Sequence, residues 1–449
     1  MEKQKIVIGE SSGAEYYIEK EIGRGGQGRV FSIKGGKYVF KLIGKKDSQN
    51  SQKLKNKISY LKTRPIAELP ISIPLEQVKG KALGYIMEMA TDMTPIEELI
   101  KPNGEFVKWW KKTGGLKRRL TLLKKTAQVI SNLHSKGLVY GDFSLSNIFT
   151  SKNKNYSEVF FIDADNITHE SKSGTAVYTP GYAAPEIIQT KTQAALSGYD
   201  TYTDNYSFAI IAYQLLTLNH PFIGDYVNNG KPELEEQAYL GKIPWVNHST
   251  NNKNETSSGI PIELTISQEM MKSFQQTFEL GINSKHKRTS IDKWIEILNT
   301  SLKMLLYCQN GNCNNYFFYN AKLTCPYCEE QINSIGVLGI YPDISRNKIK
   351  KTKSINMRIL SPKKEIILTE NDFLLNNSTK ALFKIFYYKK SFHLKGVDLN
   401  KIYLFVDGKK NIVDVKEKII INFKKEITIK LQNNVEYQRI IKLTKKRSS

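Results

Sequence analysis

Three polar residues in a fixed order constrain this chain more than any other feature. Asp142 and Asn147 lie five residues apart in a loop between apolar segments, and a predicted strand ends at Asp163, sixteen residues after Asn147. Transfer of a phosphoryl group needs a carboxylate that orients the attacking hydroxyl and oxygen ligands that hold Mg²⁺ on the phosphates. Asp142, Asn147 and Asp163 have these residue types in this order, which predicts that they are catalytic.

A glycine-rich segment near the N-terminus adds a second phosphate-binding feature. A strand predicted over Glu15–Ile22 runs into a G-x-G-x-x-G pattern at Gly23–Gly28, and two further strands are predicted over Val30–Ile33 and Tyr38–Ile43. Glycines allow close backbone approach to phosphate oxygens. Because strands follow the loop, the pattern favours a flap that covers phosphates rather than a dinucleotide-binding turn. Lys41 would then hold the phosphates. Alone, it also fits a plain hairpin and an ordinary edge-strand lysine.

Further segments complete a resemblance to the protein kinase family over about residues 15–300. The segment Gly137–Phe149 resembles the catalytic loop, and Tyr178–Glu186 resembles the end of the activation segment. The resemblance implies that Asp204 braces the catalytic-loop backbone and that Arg288 pairs with Glu186. It implies an α+β bilobal protein-kinase fold in residues 1–303, with a β-rich N-lobe over about 1–89 and a helical C-lobe over about 90–303.

The same resemblance assigns a nucleotide site. Ile86–Ala90 is similar to the kinase hinge that hydrogen-bonds adenine, with Met87 in the gatekeeper place. ATP and Mg²⁺ (or Mn²⁺) are the implied cofactors, with Asn147 and Asp163 as magnesium ligands, and a Ser/Thr hydroxyl of a protein substrate is the implied acceptor. The residues expected around ATP are Gly23, Gly25, Gly26, Gly28, Val30, Val39, Lys41, Met87, Glu88, Met89 and Phe149.

The sequence departs from the family pattern at four places. Gly141 stands where the family has arginine, Ser144 replaces a lysine, Asp163 begins Asp-Ala-Asp instead of Asp-Phe-Gly, and no clear glutamate follows to pair with Lys41. These departures raise the alternative of a pseudokinase or nucleotide-sensing scaffold. Active transfer is favoured because the metal-binding and hydroxyl-orienting groups are retained.

Gly141 also bears on regulation. Without the arginine, a phosphate on the activation loop has no receiving partner, so we predict activity that does not depend on phosphorylation of Ser171, Ser173 and Thr175.

The four cysteines all lie within residues 308–328, as Cys308-x₄-Cys313 and Cys325-x₂-Cys328. Two close pairs on facing turns match the tetrahedral thiolate set of structural Zn²⁺, and their clustering fits a reducing compartment rather than a disulfide framework. The sequence therefore predicts a zinc ribbon over residues 304–334. Four unrelated reduced cysteines are the alternative.

The remaining residues, 335–449, are predicted to form a basic β-rich domain. Seven short β-prone runs alternate with polar turns, which suggests a small β-sandwich, immunoglobulin-like in pattern. The runs are Ile355–Leu360, Glu365–Thr369, Ala381–Tyr388, Ile402–Val406, Ile419–Phe423, Ile427–Leu431 and Tyr437–Leu443, and Asp407-Gly408 is a turn signal.

Charge and motifs bear on partners. Residues 335–449 hold 22 lysines and 4 arginines against 10 acidic residues, a net +16 of the chain's +24. A solvated surface explains this as well as attraction to nucleic acid, an anionic surface or an acidic protein does, and among these partners a protein is favoured.

A finer resemblance, to bacterial kinase–zinc-ribbon proteins, is carried by three segments: Phe160–Asp165, Gly241–Val246 and the Cys-Pro-Tyr-Cys segment. This resemblance implies partnership with a von Willebrand A-domain protein and a PP2C-type phosphatase, as in tellurite-resistance-type clusters.

Location follows from the apolar runs. The longest, Phe208–Leu218, is shorter than the roughly 20 residues that span a bilayer, and the N-terminus lacks a signal-peptide pattern. We expect a cytoplasmic protein without a transmembrane segment.

Overall fold

The computed structural model describes residues 5–25, 28–169, 178–190, 198–320, 322–342, 356–361, 364–374, 378–388, 391–406, 409–421, 426–431 and 439–447. The chain forms two compact units. The first unit comprises Met1–Gly104, Thr121–Ile262 and Gln268–Ile295, and the second comprises Glu105–Leu120, Glu263–Ser267 and Glu296–Ser449.

The first unit begins with an antiparallel sheet in the order β1-β2-β3-β4-β6-β5. Its strands are β1 (Ile6–Ile8), β2 (Glu15–Gly25), β3 (Gly28–Ile33), β4 (Tyr38–Lys45), β5 (Pro74–Gln77) and β6 (Ala82–Glu88). Each of the three strands predicted around the glycine loop is present.

Helix α1 (Ser48–Lys62) packs on this sheet. The Asp47 carboxylate caps it by accepting a hydrogen bond from the Asn50 amide at 2.7 Å, which satisfies one of the donors exposed at a helix N-terminus. Leu54 and Ile58 bury their side chains in one cluster with Val39, Tyr85 and Met87.

The helices that follow in the chain lie mainly in the first unit, and one of them, at residues 106–112, belongs wholly to the second. In chain order they are α2 (Phe106–Lys112), α3 (Gly115–His134), α4 (Pro185–Thr190), α5 (Thr201–Thr217), α6 (Asp225–Asn228), α7 (Glu233–Tyr239), α8 (Ile262–Thr265), α9 (Gln268–Gln275), α10 (Gly281–Asn283) and α11 (Ile291–Lys303). Short 3₁₀ turns cover Ile96–Ile100, Ala164–Asn166 and Lys285–Lys287, and a π-helical turn covers Gln276–Leu280.

Short strands lie between the helices of this part: β7 (Met93–Pro95), β8 (Leu138–Val139), β9 (Ile148–Ser151), β10 (Val159–Phe161) and β11 (Thr168–His169). Strand β9 lies between β10 and β7.

Helix α5 is the centre of the first unit's core. Every residue from Thr203 to Thr217 is buried, so the apolar run beginning at Phe208 forms a core helix. The helix starts with a capping box between Asp200 and Thr203 and ends at Leu218, whose φ is 66°. Among the described residues, none of the helices is both long enough and apolar enough to cross a bilayer.

The second unit contains a small hairpin and two larger sheets. The hairpin pairs β12 (Leu305–Tyr307) with β13 (Tyr316–Phe318). The larger sheets are built from β14 (Ser334–Pro342), β15 (Asn356–Leu360), β16 (Glu365–Thr369), β17 (Ala381–Tyr388), β18 (Ser391–Gly396), β19 (Lys401–Val406), β20 (Lys409–Asp414), β21 (Ile419–Ile421), β22 (Glu426–Lys430) and β23 (Arg439–Arg447), with a short helix α12 (Glu370–Phe373).

The two larger sheets share one hydrophobic core. One sheet has the order β15-β14-β23-β22-β19-β20 and the other β16-β17-β18-β21. Inward side chains of both contribute to the core, among them Leu338, Leu368, Ile385 and Leu404. The predicted β-rich N-terminal part, helices and C-terminal sheets are confirmed.

Strands β14, β18 and β20 were not predicted. Strand β14 is buried from Ser334 to Ile340, so its sequence lacks the apolar–polar alternation of a half-buried strand. Strand β20 is an edge strand with mostly exposed polar residues. It pairs with β19 from Val406↔Lys409 onward, and the predicted turn Asp407-Gly408 between them lies outside the described residues.

Candidate functional site

A cavity of about 570 Å³ lies in the first unit. It brings together the glycine loop, Lys41, Asp142, Asn147 and Asp163 from widely separated parts of the sequence. The described residues that line it are Gly23, Arg24, Gly25, Gly28, Val30, Lys41, Met87, Asp142, Ser146, Asn147, Ile162, Asp163, Tyr178, Thr179 and Pro180.

The glycine loop is the turn between β2 and β3, where Gly25 pairs with Gly28. Gly28 has φ +136°, and a Cβ there would lie 2.3 Å from the Leu42 carbonyl oxygen, so this position requires glycine. The predicted nucleotide residue Gly26 lies outside the described residues. A hairpin, and not a helix, follows the loop, as the flap interpretation requires.

Lys41 is 4% exposed and its ammonium donates a hydrogen bond to the Asp163 carboxylate. The absence of a glutamate partner, expected from the sequence, agrees with helix α1, which contains no acidic residue. Lys57 of this helix donates instead to the Ile167 carbonyl. Asp163 adopts φ 63° and ψ 53°, a left-handed conformation that is uncommon outside glycine and often found at functional sites. The ion pair therefore links the sheet directly to the end of β10.

Asp142 is 5% exposed, and its carboxylate accepts two hydrogen bonds from one residue. The Thr179 amide and hydroxyl lie 2.8 Å and 2.7 Å from Asp142 Oδ1. Burial raises the pKa of Asp142, opposed by the hydrogen bonds from Thr179 and Asn147 and by the charge of Lys41. A carboxylate in this setting can both accept a hydroxyl proton and hold the hydroxyl in place.

Asn147 is oriented by the catalytic loop itself. Its side-chain Nδ2 donates to the Asp142 carbonyl oxygen at 3.0 Å, and its own carbonyl accepts from the Ile162 amide at 2.9 Å. With Nδ2 engaged, Oδ1 is the side-chain atom suited to a cation.

Asp204, on α5, holds the backbone just before Asp142. Its buried carboxylate accepts hydrogen bonds from the Tyr140 amide at 2.8 Å and the Gly141 amide at 3.0 Å, and it lies 3.0 Å from His134 Nε2. Gly141 has φ +87°, and a Cβ there would lie 3.0 Å from the Tyr199 ring. The departure from arginine thus coincides with a backbone conformation that glycine adopts readily.

Arg288 and Glu186 meet in a bidentate ion pair. Arg288 Nη1 and Nη2 lie 2.7 Å and 2.8 Å from the two Glu186 carboxylate oxygens. The guanidinium also donates to the carbonyls of Gly281 and Tyr202, so a fully buried arginine is well satisfied.

Four of the predicted nucleotide residues that the structure describes are not among those lining the cavity. Val39 is buried against Leu54 on the α1 side of the sheet. The Met89 amide donates to the Lys37 carbonyl at 3.0 Å, and the Glu88 carbonyl accepts from Ser72. Phe149 lies on β9, opposite Phe160 and Pro95.

Sequence reasoning did not assign several lining residues to the site: Arg24, Ser146, Ile162, Tyr178, Thr179 and Pro180. The sequence predicts Tyr178–Pro180 only as part of the end of the activation segment. The hydrogen bonds from Thr179 to Asp142 join positions 37 residues apart, which no local pattern signals. Ser171, Ser173 and Thr175 lie outside the described residues.

The four cysteines converge in the second unit. Their sulfur atoms all lie within 4.8 Å of one another, with Cys308 and Cys328 at 3.5 Å and Cys313 and Cys325 at 3.8 Å. Four thiolates about 2.3 Å from a tetrahedral Zn²⁺ would be about 3.8 Å apart, so the sulfur arrangement fits this ion. Burial raises the pKa of the Cys308 and Cys325 thiols, and a cation among the four sulfurs would favour their ionised forms.

Comparison with known proteins assigns the class to which this fold and cavity belong. The protein kinase domain family matches residues 16–299. The chain therefore belongs to the protein kinase family, as predicted.

Individual relatives are more distant. Serine/threonine-protein kinase pkn2 of Myxococcus xanthus is 30% identical over 135 residues, which cover 28% of this chain and 15% of that protein. Myosin light chain kinase A of Dictyostelium discoideum is 26% identical over 233 residues, 49% of this chain and 72% of that protein. One similar solved structure is ROP2 from Toxoplasma gondii, described as a virulence factor with a protein-kinase fold and no enzymatic activity. The match covers 67% of this chain and 85% of the ROP2 chain, with a TM-score of 0.46 and 14% sequence identity.

Proposed function

We propose that the chain transfers the γ-phosphate of ATP to serine or threonine hydroxyls of protein substrates. One observation carries the proposal: a single cavity gathers the glycine loop, Lys41, Asp142, Asn147 and Asp163. Membership of the protein kinase family and the similarity to named serine/threonine kinases support it.

Each polar group has a proposed task. Lys41 binds phosphate oxygens, and Asp142 accepts and orients the attacking hydroxyl. The oxygens of Asp163 and Asn147 fit the hard-oxygen preference of Mg²⁺ or Mn²⁺, and both residues line the cavity. The metal, when bound, neutralises charge on the phosphates.

The adenine site is proposed from the resemblance. Val30 and Met87 lie at the cavity wall. The resemblance also proposes the backbone of Glu88 and Met89, Val39 above and Phe149 below as adenine contacts, but these four residues do not line the cavity and the Met89 amide already donates to the Lys37 carbonyl.

The experiment that tests the activity compares Asp142→Asn with the wild type, using full-length protein, labelled ATP and Mg²⁺. We expect the initial rate of transfer to protein to fall at least ~100-fold, because the amide cannot accept the hydroxyl proton. ATP affinity should change little, since the phosphate-binding groups remain. Asp92→Asn, the same change at an exposed loop aspartate, is the matched control and should retain the wild-type rate.

Two results would contradict the proposal. Wild-type protein that binds ATP yet phosphorylates neither itself nor any supplied protein would establish the alternative of a nucleotide-sensing scaffold. Wild-type protein that binds no nucleotide would exclude both functions.

A structural zinc ion in the second unit is a separate proposal, carried by the four converging sulfurs of Cys308, Cys313, Cys325 and Cys328. Elemental analysis of protein purified without chelator should give one zinc per chain. Cys325→Ser should lower the zinc content and the urea midpoint of the second unit, because metal binding contributes folding energy in such sites. Thr324→Ser, its neighbour, is the control. Zinc-free, stable wild-type protein would contradict the proposal.

The other features expected from the sequence stay proposals. They are a cytoplasmic location, bacterial signalling, partnership with a von Willebrand A-domain protein and a PP2C-type phosphatase, the boundaries at residues 303 and 334, and an immunoglobulin-like character of the C-terminal sheets. Attraction of the basic C-terminal region to nucleic acid or an anionic surface also stays open.

A further inference from the structure

A second cavity, of about 420 Å³, lies within the second unit. Its described lining residues and those of the first cavity have no member in common. Its lining combines two lysines, three hydroxyl groups and an apolar wall. The described residues that line it are Lys117, Leu302, Leu305, Tyr307, Tyr316, Ser361, Lys364 and Glu365. The volume falls within the range of about 300–1,000 Å³ typical of small-molecule sites.

Lys364 is the most constrained of these side chains. Its ammonium donates to the backbone carbonyls of Lys303 at 3.0 Å and Leu305 at 3.4 Å. These acceptors orient the ammonium but carry no net charge to balance it. Burial, together with the charge of Lys117, lowers the pKa of Lys364 to about 8.

Lys117 places a second positive charge at the same cavity. Its ammonium lies 3.3 Å from the Tyr316 hydroxyl and 4.6 Å from the centre of that ring. The ring therefore holds the lysine head group at the cavity wall through cation–π attraction and a hydrogen bond.

Glu365 is the one acidic residue among the described residues of the lining. Its carboxylate lies 2.9 Å from the ammonium of Lys384, which is not part of the lining. The carboxylate is thus bonded to Lys384, and among the described lining residues two lysines stand against this one carboxylate.

Ser361 adds an independent indication of a ligand. The residue is fully buried, and within the described part of the chain its hydroxyl has no hydrogen-bond partner. Leaving such a hydroxyl unsatisfied is energetically costly, so buried polar groups nearly always have a partner. A ligand in the cavity that Ser361 lines would supply one.

The apolar part of the lining indicates the rest of the ligand. Leu302 and Leu305 provide aliphatic surface, and the rings of Tyr307 and Tyr316 lie with centroids 5.0 Å apart. An aromatic or aliphatic body can pack here while its charged end meets the lysines.

We propose that this cavity binds a small organic phosphate monoester, with the phosphate between Lys117, Lys364 and the Ser361 hydroxyl and the organic body against the tyrosine and leucine side chains. A phosphate monoester is preferred to a carboxylate because its two negative charges match two ammonium groups. Its oxygens can also accept several charge-assisted hydrogen bonds at once.

Isothermal titration of the full-length wild type with phenyl phosphate tests the proposal. We expect saturable binding, with phenol and benzoate at least tenfold weaker. Lys364→Met should weaken phenyl phosphate binding at least tenfold, about 1.4 kcal/mol. Lys395→Met removes an exposed lysine of the same unit and should leave the affinity unchanged.

The nucleotide cavity could itself bind phenyl phosphate, so Lys41→Met is included. Binding that Lys41→Met abolishes and Lys364→Met does not affect would overturn the proposal, as would benzoate binding as tightly as phenyl phosphate or no binding of phenyl phosphate at millimolar concentration.

A measurement on the wild type tests the same contact even if the Lys364→Met variant does not fold. Acetic anhydride labelling at pH 8, read by mass spectrometry, reports how readily the Lys364 amine reacts. Phenyl phosphate should slow acetylation of Lys364 severalfold and leave Lys395 unchanged. Equal labelling of Lys364 with and without phenyl phosphate would exclude this lysine as a ligand contact.

Discussion

Lys41 in the first unit and Lys364 in the second each hold an ammonium group at the wall of a cavity, but their partners differ in kind. Lys41 bonds a carboxylate, Asp163, and the pair is largely neutral before any ligand arrives. Lys364 bonds backbone carbonyls of Lys303 and Leu305 and faces Lys117. The same residue type is thus an internal ion-pair partner in one cavity and an incompletely balanced charge in the other.

The difference indicates what each cavity can accept. A ligand entering the first cavity meets a lysine already paired with a carboxylate, so a bound divalent cation with its phosphates can satisfy both partners. A ligand entering the second cavity meets two lysines among the described lining residues and one carboxylate already bonded to Lys384, so an anion alone suffices.

The largest expected effect concerns Lys41 and the rate of phosphoryl transfer. Lys41→Met should lower the rate of phosphoryl transfer at least ~100-fold, because a preorganised positive charge on the phosphates is lost. Lys45→Met, an exposed lysine on the same strand, is the matched control and should keep the wild-type rate. Initial rates with labelled ATP measure both, and a Lys41→Met rate within tenfold of the wild type would contradict the assigned role.

A second test compares the two lysines by stability. Lys41→Met should lower the free energy of unfolding of the first unit by about 2 kcal/mol, because Asp163 loses its partner in a mostly buried site. Lys364→Met should instead raise that of the second unit by up to about 2 kcal/mol at pH 7, because it removes a charge that burial disfavours. Urea unfolding, followed separately for each unit, measures both signs, and destabilisation by Lys364→Met would contradict the comparison.

The pH dependence sharpens the Lys364 prediction. Its folded-state pKa of about 8 lies below the ordinary value of 10.5, so the unfolded chain binds more protons between these two pH values. The contribution of Lys364 to wild-type stability should therefore rise from pH 8 to pH 10.5. The advantage of Lys364→Met should be fully present below pH 8 and should shrink across that window, whereas a constant difference would show that Lys364 does not titrate there.

The smallest expected effect concerns Thr179 and Asp142. Thr179→Val removes the hydroxyl that donates to the carboxylate at 2.7 Å, so the pKa of Asp142 should rise further above its ordinary value. Because transfer needs the ionised carboxylate, the acid limb of the pH–rate profile should move to higher pH. Thr91→Val, at an exposed threonine, should leave the profile unchanged. An unshifted Thr179→Val profile would show that the hydroxyl does not tune Asp142.

Much of the first site could be predicted from sequence because its parts are local. The loop from Asp142 to Asn147 and Asp163, just after β10, keep their spacing within one short segment, and phosphoryl transfer dictates their residue types. The cysteine pairs are equally local, since each lies within one turn, and their sulfurs converge as the spacing suggested. By contrast, β14 was missed because a strand buried on both faces lacks alternation.

The sequence by itself determined the protein kinase family, the candidate catalytic residues and the cysteine cluster, because each depends on residue types at fixed short spacings. Only the tertiary structure decided which charges meet. The partner of Lys41 lies 122 residues away in Asp163, and Lys117 meets Lys364 across 247 positions of the same unit. Electrostatic energy depends on distance and burial in space, neither of which local sequence specifies.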